Sequence, residues 1–222
     1  VHDSLYKYFS AKNLLYKAQS GFRRFHSCET ALSRLMDIWT TNMEIGKLNG
    51  VVLLDLRKAF DLVNHSVMIE KLKIYQCDTN CIKWMTSYLV GRNQSVHFRG
   101  TTSTSKPVKC GVPQGSILGP LLFIIFMNDL PLVSTRSTID MYADDSTVHT
   151  AGNTVEELED TLNTDRELIG EWCNQNKMTA NTDKTKCMVV TTHQKARRLE
   201  RKRLILLRSA KFLLMVEATL LI

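Results

Sequence analysis

The chain lacks any long apolar run. No stretch of its 222 residues reaches the roughly 20 consecutive apolar positions needed to cross a bilayer. Its opening residues do not follow the charged-then-apolar pattern of a secretory leader, so we expect no membrane association. Paired cysteines are also missing. The six cysteines, at positions 28, 77, 81, 110, 173 and 187, are scattered, and only Cys77 and Cys81 lie close together. No second pair completes a zinc site, so reduced thiols in an intracellular protein are expected. A phosphate-cradling Gly-Lys-Ser/Thr loop is absent, as are internal repeats and low-complexity segments. Basic excess is missing where it would matter. The net charge is +7, but residues 191–222 hold eight Lys/Arg against two Glu, leaving 21 basic and 20 acidic residues in positions 1–190. Nucleic-acid binding by the body must therefore rest on local sites and not on overall charge.

What is present suffices for a globular core. Hydrophobic residues make up 44% of the chain, and its length allows one large domain or two small ones. Helical spacing predicts a helix opened by Ser27, with Ala31, Leu32, Leu35, Met36, Trp39 and Met43 as its core stripe and Gly46 beyond its end. Further helices are expected from about Ser66 to Leu72 and from Thr79 to Leu89. Alternation over 94–98 and 106–110 around Gly100 predicts a hairpin. Thr154 to Glu157 forms a capping box for a long amphipathic helix. A second hairpin is expected from Lys177–Ala180 and Lys186–Val190, joined at Asn181-Thr182-Asp183-Lys184.

Three stretches carry chemistry. Gly50-Val51-Val52-Leu53-Leu54-Asp55 reads as a buried strand ending on a carboxylate. Ile139 to His149 reads as two strand-like runs meeting at Asp144-Asp145. Alone, an Asp pair is an ordinary turn. Beside Asp55 it would make a cluster of three carboxylates that needs counter-charge, which a hard divalent cation with oxygen ligands supplies. The third stretch, Gly111-Val112-Pro113-Gln114-Gly115-Ser116-Ile117-Leu118-Gly119-Pro120, is a glycine- and proline-punctuated loop. It enters Leu121–Met127, apolar nearly all round and so a buried helix. Arg23 and Arg24, beside Gly21, read either as a phosphate grip or as a solvated basic turn.

Taken in order, Gln19-Ser20-Gly21-Phe22-Arg23, Leu54-Asp55-Leu56-Arg57-Lys58-Ala59-Phe60-Asp61, the loop from Gly111 to Pro120, Tyr142-Ala143-Asp144-Asp145 and Asn181-Thr182-Asp183-Lys184-Thr185 form a specific set. Over roughly residues 14–190 the chain resembles the reverse transcriptase of a non-LTR (LINE-type) retrotransposon. The resemblance implies an α+β fold, a right-hand polymerase palm and fingers with an antiparallel palm sheet packed on helices. Fingers would span about 1–48 and 66–110, and palm about 49–65 and 111–190. Residues 191–222 form a basic-then-apolar tail, read as an amphipathic helix or as frameshifted sequence, and the family's thumb and endonuclease are not found.

The resemblance also assigns residues. Asp55 and Asp144 would be the main ligands of two Mg²⁺ ions, with Mn²⁺ as an alternative, and Asp145 a supporting one. Phe60 would exclude a ribose 2′-hydroxyl, although by itself it reads as a core aromatic. Gln114 and Gly115 would border the incoming nucleotide and template, Arg23 and Arg24 would contact its triphosphate, and Tyr142 would pack near the primer end. Lys184 would protonate pyrophosphate, its alternative being a solvated turn lysine. Asp61 is expected to point away from the metals. The implied activity is RNA-directed DNA polymerisation, with RNA template, DNA primer and dNTPs as partners. It would act inside the cell, in the nucleus or as a cytoplasmic ribonucleoprotein. Group II intron or retron enzymes, a viral RNA-dependent RNA polymerase and a catalytically inactive remnant that at most binds nucleic acid are the competing readings.

Overall fold

The computed structural model describes residues 1–200 and 211–216. Helices α1 (His2–Ala11) and α2 (Cys28–Glu44) precede strand β1 (Leu48–Leu54). Then come α3 (Ala59–Leu62), α4 (His65–Ile74) and α5 (Thr79–Leu89). An arm follows, made of the short strands β2 (Asn93–Gln94), β3 (His97–Phe98), β4 (Thr101–Thr102) and β5 (Lys106–Pro107). The chain continues through α6 (Leu118–Met127), β6 (Thr138–Tyr142), β7 (Asp145–Gly152), α7 (Val155–Asn176), β8 (Lys186–Thr191), α8 (His193–Glu200) and β9 (Lys211–Val216).

The main sheet has the order β6-β7-β1-β8-β9. β1 is central because both its neighbours cover it and its sequence is apolar and β-branched. It runs antiparallel to β7 and to β8. On one face, Val51 packs with Leu35 and Trp39 of α2 and with Met188 and Val190 of β8. On the other, Leu48 packs with Leu158 of α7 and Val189. Arg34 Nη1 and His149 Nε2 both donate to Asp140, each at 2.9 Å, and tie α2 to the β6–β7 hairpin. The sheet is antiparallel except at its edge, where β9 pairs with β8 in parallel. That edge strand differs from the expected tail helix. The helical part of the tail is α8, and the expectation for 201–210 and 217–222 falls outside the described residues.

Start and stop signals explain the helix ends. Ser27 Oγ accepts from the Thr30 amide and Thr30 Oγ1 from the Ser27 amide, a reciprocal cap. The caps of α4, α5 and α7 are one-sided, the side chains of Asn64, Asp78 and Thr154 each accepting from first-turn amides. In α2 the stripe is narrower than the periodicity suggests, since Leu32 is exposed. All of α6 except Pro120 is buried, as its all-round apolarity requires. It packs on α1 and α4 and sets the Phe126 ring edge-on to Trp172 of α7. No helix of the described residues is long and apolar enough to cross a membrane. All six cysteines are free thiols.

The expected hairpin of 177–180 with β8 does not form. Lys177 ends α7 in a left-handed conformation, φ +57. The segment that follows then pairs with the exit of β1, through a single Leu56–Ala180 bridge and an Arg57 N–Thr179 O bond of 2.8 Å. Local alternation could not reveal that a distant strand end would claim this segment.

Candidate active site

The β6–β7 hairpin reverses over two residues, Ala143 and Asp144, between the last pair Tyr142–Asp145. Ala143 is left-handed at φ +58, a conformation costing a non-glycine residue about 1–2 kcal/mol. β1 ends beside this turn. Its last pair with β7 is Leu54–Ser146, so the next step brings Asp55 alongside Asp145. The electrostatics agree. Burial pushes the Asp145 carboxyl up, and the charges of Asp144 and Asp55 push it further.

Asp55 is held on three sides. Asn181 Nδ2 donates to Asp55 Oδ2 at 2.7 Å, the Asn181 amide donates to the Asp55 carbonyl at 2.8 Å, and the Asp55 amide donates to Thr185 Oγ1 at 3.3 Å. The turn after α7 thus serves as a cradle for the end of β1. Two open cavities meet here. One, of about 270 Å³, is lined among others by Asp55, Phe60, Asp61, Gln114, Asp144 and Lys184. The other, of about 610 Å³, takes in Asp55, Asp145, Asp183 and Lys184.

The donor set suits hard cations. Among the described residues no Lys, Arg or His forms an ion pair with Asp55, Asp144 or Asp145, so no such pair offsets their mutual repulsion. Oxygen-only, net-negative and open to solvent, the cluster has the donor chemistry that suits hard divalent cations. Among the described residues no three His, Cys, Asp or Glu side chains stand close enough together to hold one metal ion.

The walls are tied to the core and to one another. Phe60 stacks on Phe123 of α6, with centroids 4.0 Å apart and planes 15° apart, and Phe22 meets it edge-on at 6.1 Å. Gln114 Nε2 donates to Asp61 Oδ1 at 2.8 Å. Asp61 therefore lines the same cavity as the carboxylates and anchors Gln114. The loop is pinned to α3 by Val112 N–Phe60 O and Gly111 N–Val63 O bonds of 2.9 and 2.8 Å. Gly111 sits at φ +91, where a Cβ would meet the Asp61 carbonyl at 2.8 Å, so no side chain fits.

A family profile described as reverse transcriptase (RNA-dependent DNA polymerase) matches residues 1–211. The chain belongs to the reverse transcriptase family. It is 32% identical over 182 residues to the RNA-directed DNA polymerase from mobile element jockey of Drosophila funebris, covering 79% of this chain and 20% of that protein. It is 28% identical over 193 residues to the probable RNA-directed DNA polymerase from transposon BS of Drosophila melanogaster, covering 83% of this chain and 21% of the other. The chain thus spans about a fifth of the length of these relatives. Among solved structures, a telomerase from Candida albicans in complex with a fragment of telomeric RNA superposes with a TM-score of 0.62 at 16% identity, over 86% of this chain and 33% of that one. An apo telomerase from Candida tropicalis gives 0.61 at 16% identity, over 85% and 40%. At that identity the likeness concerns the fold, a partial polymerase fold of mixed helix and antiparallel sheet.

Not every expected residue of this reverse transcriptase domain gathers at the cavity. Asp55, Asp144, Asp145, Phe60, Gln114 and Lys184 do. Arg23 folds back instead, its Nη1 donating to the carbonyls of Tyr16 and Gln19 at 3.0 and 3.1 Å. Arg24 pairs with Asp3 at 3.5 Å and lies over the Tyr6 ring. Neither arginine lines the two cavities. Gly115 takes φ +79 in open space, and Tyr142 is partly exposed as the last residue of β6.

Gln19 is the residue that sequence reasoning missed. It is fully buried. Its Oε1 accepts from the amides of Gly21 and Ala143, at 2.7 and 3.0 Å, and its Nε2 donates to the Ala143 carbonyl at 3.4 Å. Main-chain bonds Ser20 N–Met141 O and Met141 N–Ala18 O run alongside. A Cβ on Gly21 would lie 2.2 Å from the Ala143 nitrogen. The segment 18–21 therefore clamps the acidic turn in its left-handed shape. Its signal was the Gln-Ser-Gly motif, but nothing local says what that motif touches.

Proposed function

We propose that this domain performs RNA-templated DNA synthesis, adding dNTPs to the 3′-hydroxyl of a DNA primer paired to an RNA template. The observation that carries the reading is the convergence of Asp55 with Asp144 and Asp145 at one end of the sheet, where Asp55 and Asp144 share one cavity with Phe60 and Gln114, Asp55 and Asp145 share the other, and Lys184 lines both. Asp55 and Asp144 would hold two divalent cations, Mg²⁺ or Mn²⁺, with Asp145 in support. When bound, such a pair activates the attacking hydroxyl and neutralises the leaving pyrophosphate.

The protein's own groups do the rest. Asn181 and Thr185 orient Asp55. Phe60, braced by Phe123, presents a hard wall to the sugar and rejects a 2′-hydroxyl. Gln114, fixed by Asp61, borders the incoming nucleotide with Gly115. Lys184 sits on an exposed turn at both cavities, where its ammonium can give a proton to departing pyrophosphate. Arg23 and Arg24 would reach the triphosphate only after leaving their present partners. Tyr142 would border the primer end. The setting would be inside the cell, with the nucleus as the site of action and a cytoplasmic ribonucleoprotein as the alternative.

The test is extension of oligo(dT) on poly(rA) with Mg²⁺, comparing dTTP with UTP. Extension by dTTP in clear preference to UTP is expected. Equal use of both would remove the sugar-gate role of Phe60, and extension with neither would remove the polymerase reading.

A further inference from the structure

The near-neutral body conceals an asymmetry. From Thr79 to Asn128 the chain carries Lys83, Arg92, Arg99, Lys106 and Lys109 and no Asp or Glu, whereas the rest of residues 1–190 holds sixteen basic and twenty acidic residues. The fold concentrates this segment's charge on an arm. Residues 91–107 are all exposed. They form a hairpin paired at Asn93–Pro107, Gln94–Lys106, His97–Thr102 and Phe98–Thr101. Its tip is Arg99-Gly100, left-handed at φ +48 and +79, the signature of a tight two-residue turn.

A bare two-stranded hairpin is marginal in water, and this one leaves Val96 and Phe98 exposed, Phe98 at 67%. Aromatic faces alternate with guanidinium groups. Arg99 lies over the Phe98 ring at 5.2 Å. At the root, Trp84 stacks on Tyr88 at 5.3 Å and 11°, and Arg92 lies over Tyr88 at 5.5 Å. The arm joins that stripe directly, through a Val108 N–Arg92 O bond of 2.8 Å. A face that serves only solubility mixes both signs of charge and hides its rings. Cations that track phosphates, interleaved with rings on which bases stack, are what an unpaired strand needs.

We propose that the hairpin arm 91–108, with the Trp84–Tyr88–Arg92 stripe, is a binding platform for single-stranded nucleic acid, distinct from the carboxylate cavity. The proposal rests on the reading that this domain works on nucleic acid. It adds a surface whose affinity does not depend on the carboxylates.

Fluorescence anisotropy with labelled 20-mers of oligo(rU), oligo(dT) and a duplex, over a series of salt concentrations, tests it on the 222-residue chain. Both single strands should bind more tightly than the duplex. Replacing Arg92, Arg99 and Lys106 together by Gln should flatten the slope of log K against log salt by about 2, since each phosphate contact on a single strand contributes ~0.7. Phe98→Ala should weaken binding about tenfold at every salt concentration, as loss of one base–aromatic stack does. All these side chains are exposed, so melting temperatures should match the parent. Unchanged slope and affinity in the variants would overturn the proposal. So would duplex bound as tightly as single strand, or polyglutamate competing as well as oligo(rU), which would mark the arm as a site for acidic protein. Primer extension run in parallel separates the two readings. Extension with unaltered binding in the arm variants defeats the platform alone, whereas no extension with arm-dependent binding defeats the polymerase alone.

Discussion

Gln19→Leu should uncouple the acidic turn from the fold without unfolding the protein. Leucine fills a similar volume, but it leaves the Gly21 and Ala143 amides, paired at 2.7 and 3.0 Å in the parent, without acceptors in a buried place. Each orphaned group costs about 1–3 kcal/mol, so the two together cost about 2–6 kcal/mol. Ala143 already spends about 1–2 kcal/mol on its left-handed backbone. The cheapest relief is for the Ala143-Asp144 turn to flip to a right-handed form and reach water, carrying the Asp144 carboxylate away from Asp55. Mn²⁺ binding followed by electron paramagnetic resonance should then weaken at least tenfold, equivalent to about 1.4 kcal/mol. The melting temperature should fall by only a few degrees, because the loss is relieved locally. In primer extension kcat should drop while the KM for dTTP changes little. Gly21→Ala should do the same by collision with the Ala143 nitrogen. Parent-like Mn²⁺ affinity in a folded Gln19→Leu protein would refute the clamp. A fall in melting temperature large enough to absorb the whole cost would show that Gln19 serves packing only.

Two further outcomes follow from named contacts. Phe60→Val removes the ring that stacks on Phe123 and should raise UTP incorporation relative to dTTP by at least tenfold; unchanged discrimination would assign Phe60 to the core. Asp165 is fully buried and accepts from the amides of Thr135, Arg136 and Ser137 and the hydroxyls of Ser134, Thr135 and Ser137. Burial alone would raise its carboxyl, but these bonds outweigh it and hold it at about 2, below the usual 3.8. A depressed carboxylate lends stability above its unfolded pKa and loses it as pH falls through the folded one. Asp165→Asn should thus cost about 2 kcal/mol at pH 7, and urea denaturation should show the gap to the parent closing between pH 4 and pH 2. A gap that stays constant would deny the charge its role.

The parts of the site that were legible were the parts written locally. The apolar run closed by Asp55, the strand–Asp-Asp–strand pattern and the glycine- and proline-punctuated loop before α6 each carry their signal within a dozen residues. What failed was long-range. Gln19 and Ala143 are 124 positions apart, and no periodicity links them. Lys177–Ala180 alternates like a strand, yet its Thr179 carbonyl accepts from Arg57 at the exit of β1. Arg23, read as a phosphate grip or a solvated turn, is a local exception, since the carbonyls of Tyr16 and Gln19 take its guanidinium. Asp61 was expected only to point away from the metals; that it also holds Gln114 at the cavity is a contact made across 53 positions. The charge of the arm was visible in the sequence, but summation over the whole body cancelled it.

The decisive measurement is primer extension on poly(rA)–oligo(dT) with dTTP and Mg²⁺, comparing the parent chain with Asp144→Asn. Asp144 lies at a turn that lines an open cavity, and on the proposed reading its carboxylate is there for cations and not for packing, so the variant should keep the parent's circular dichroism and melting temperature. Extension by the parent and none by the folded variant is the predicted result. Equal extension by both would contradict the assignment of the carboxylate cluster as the catalytic centre.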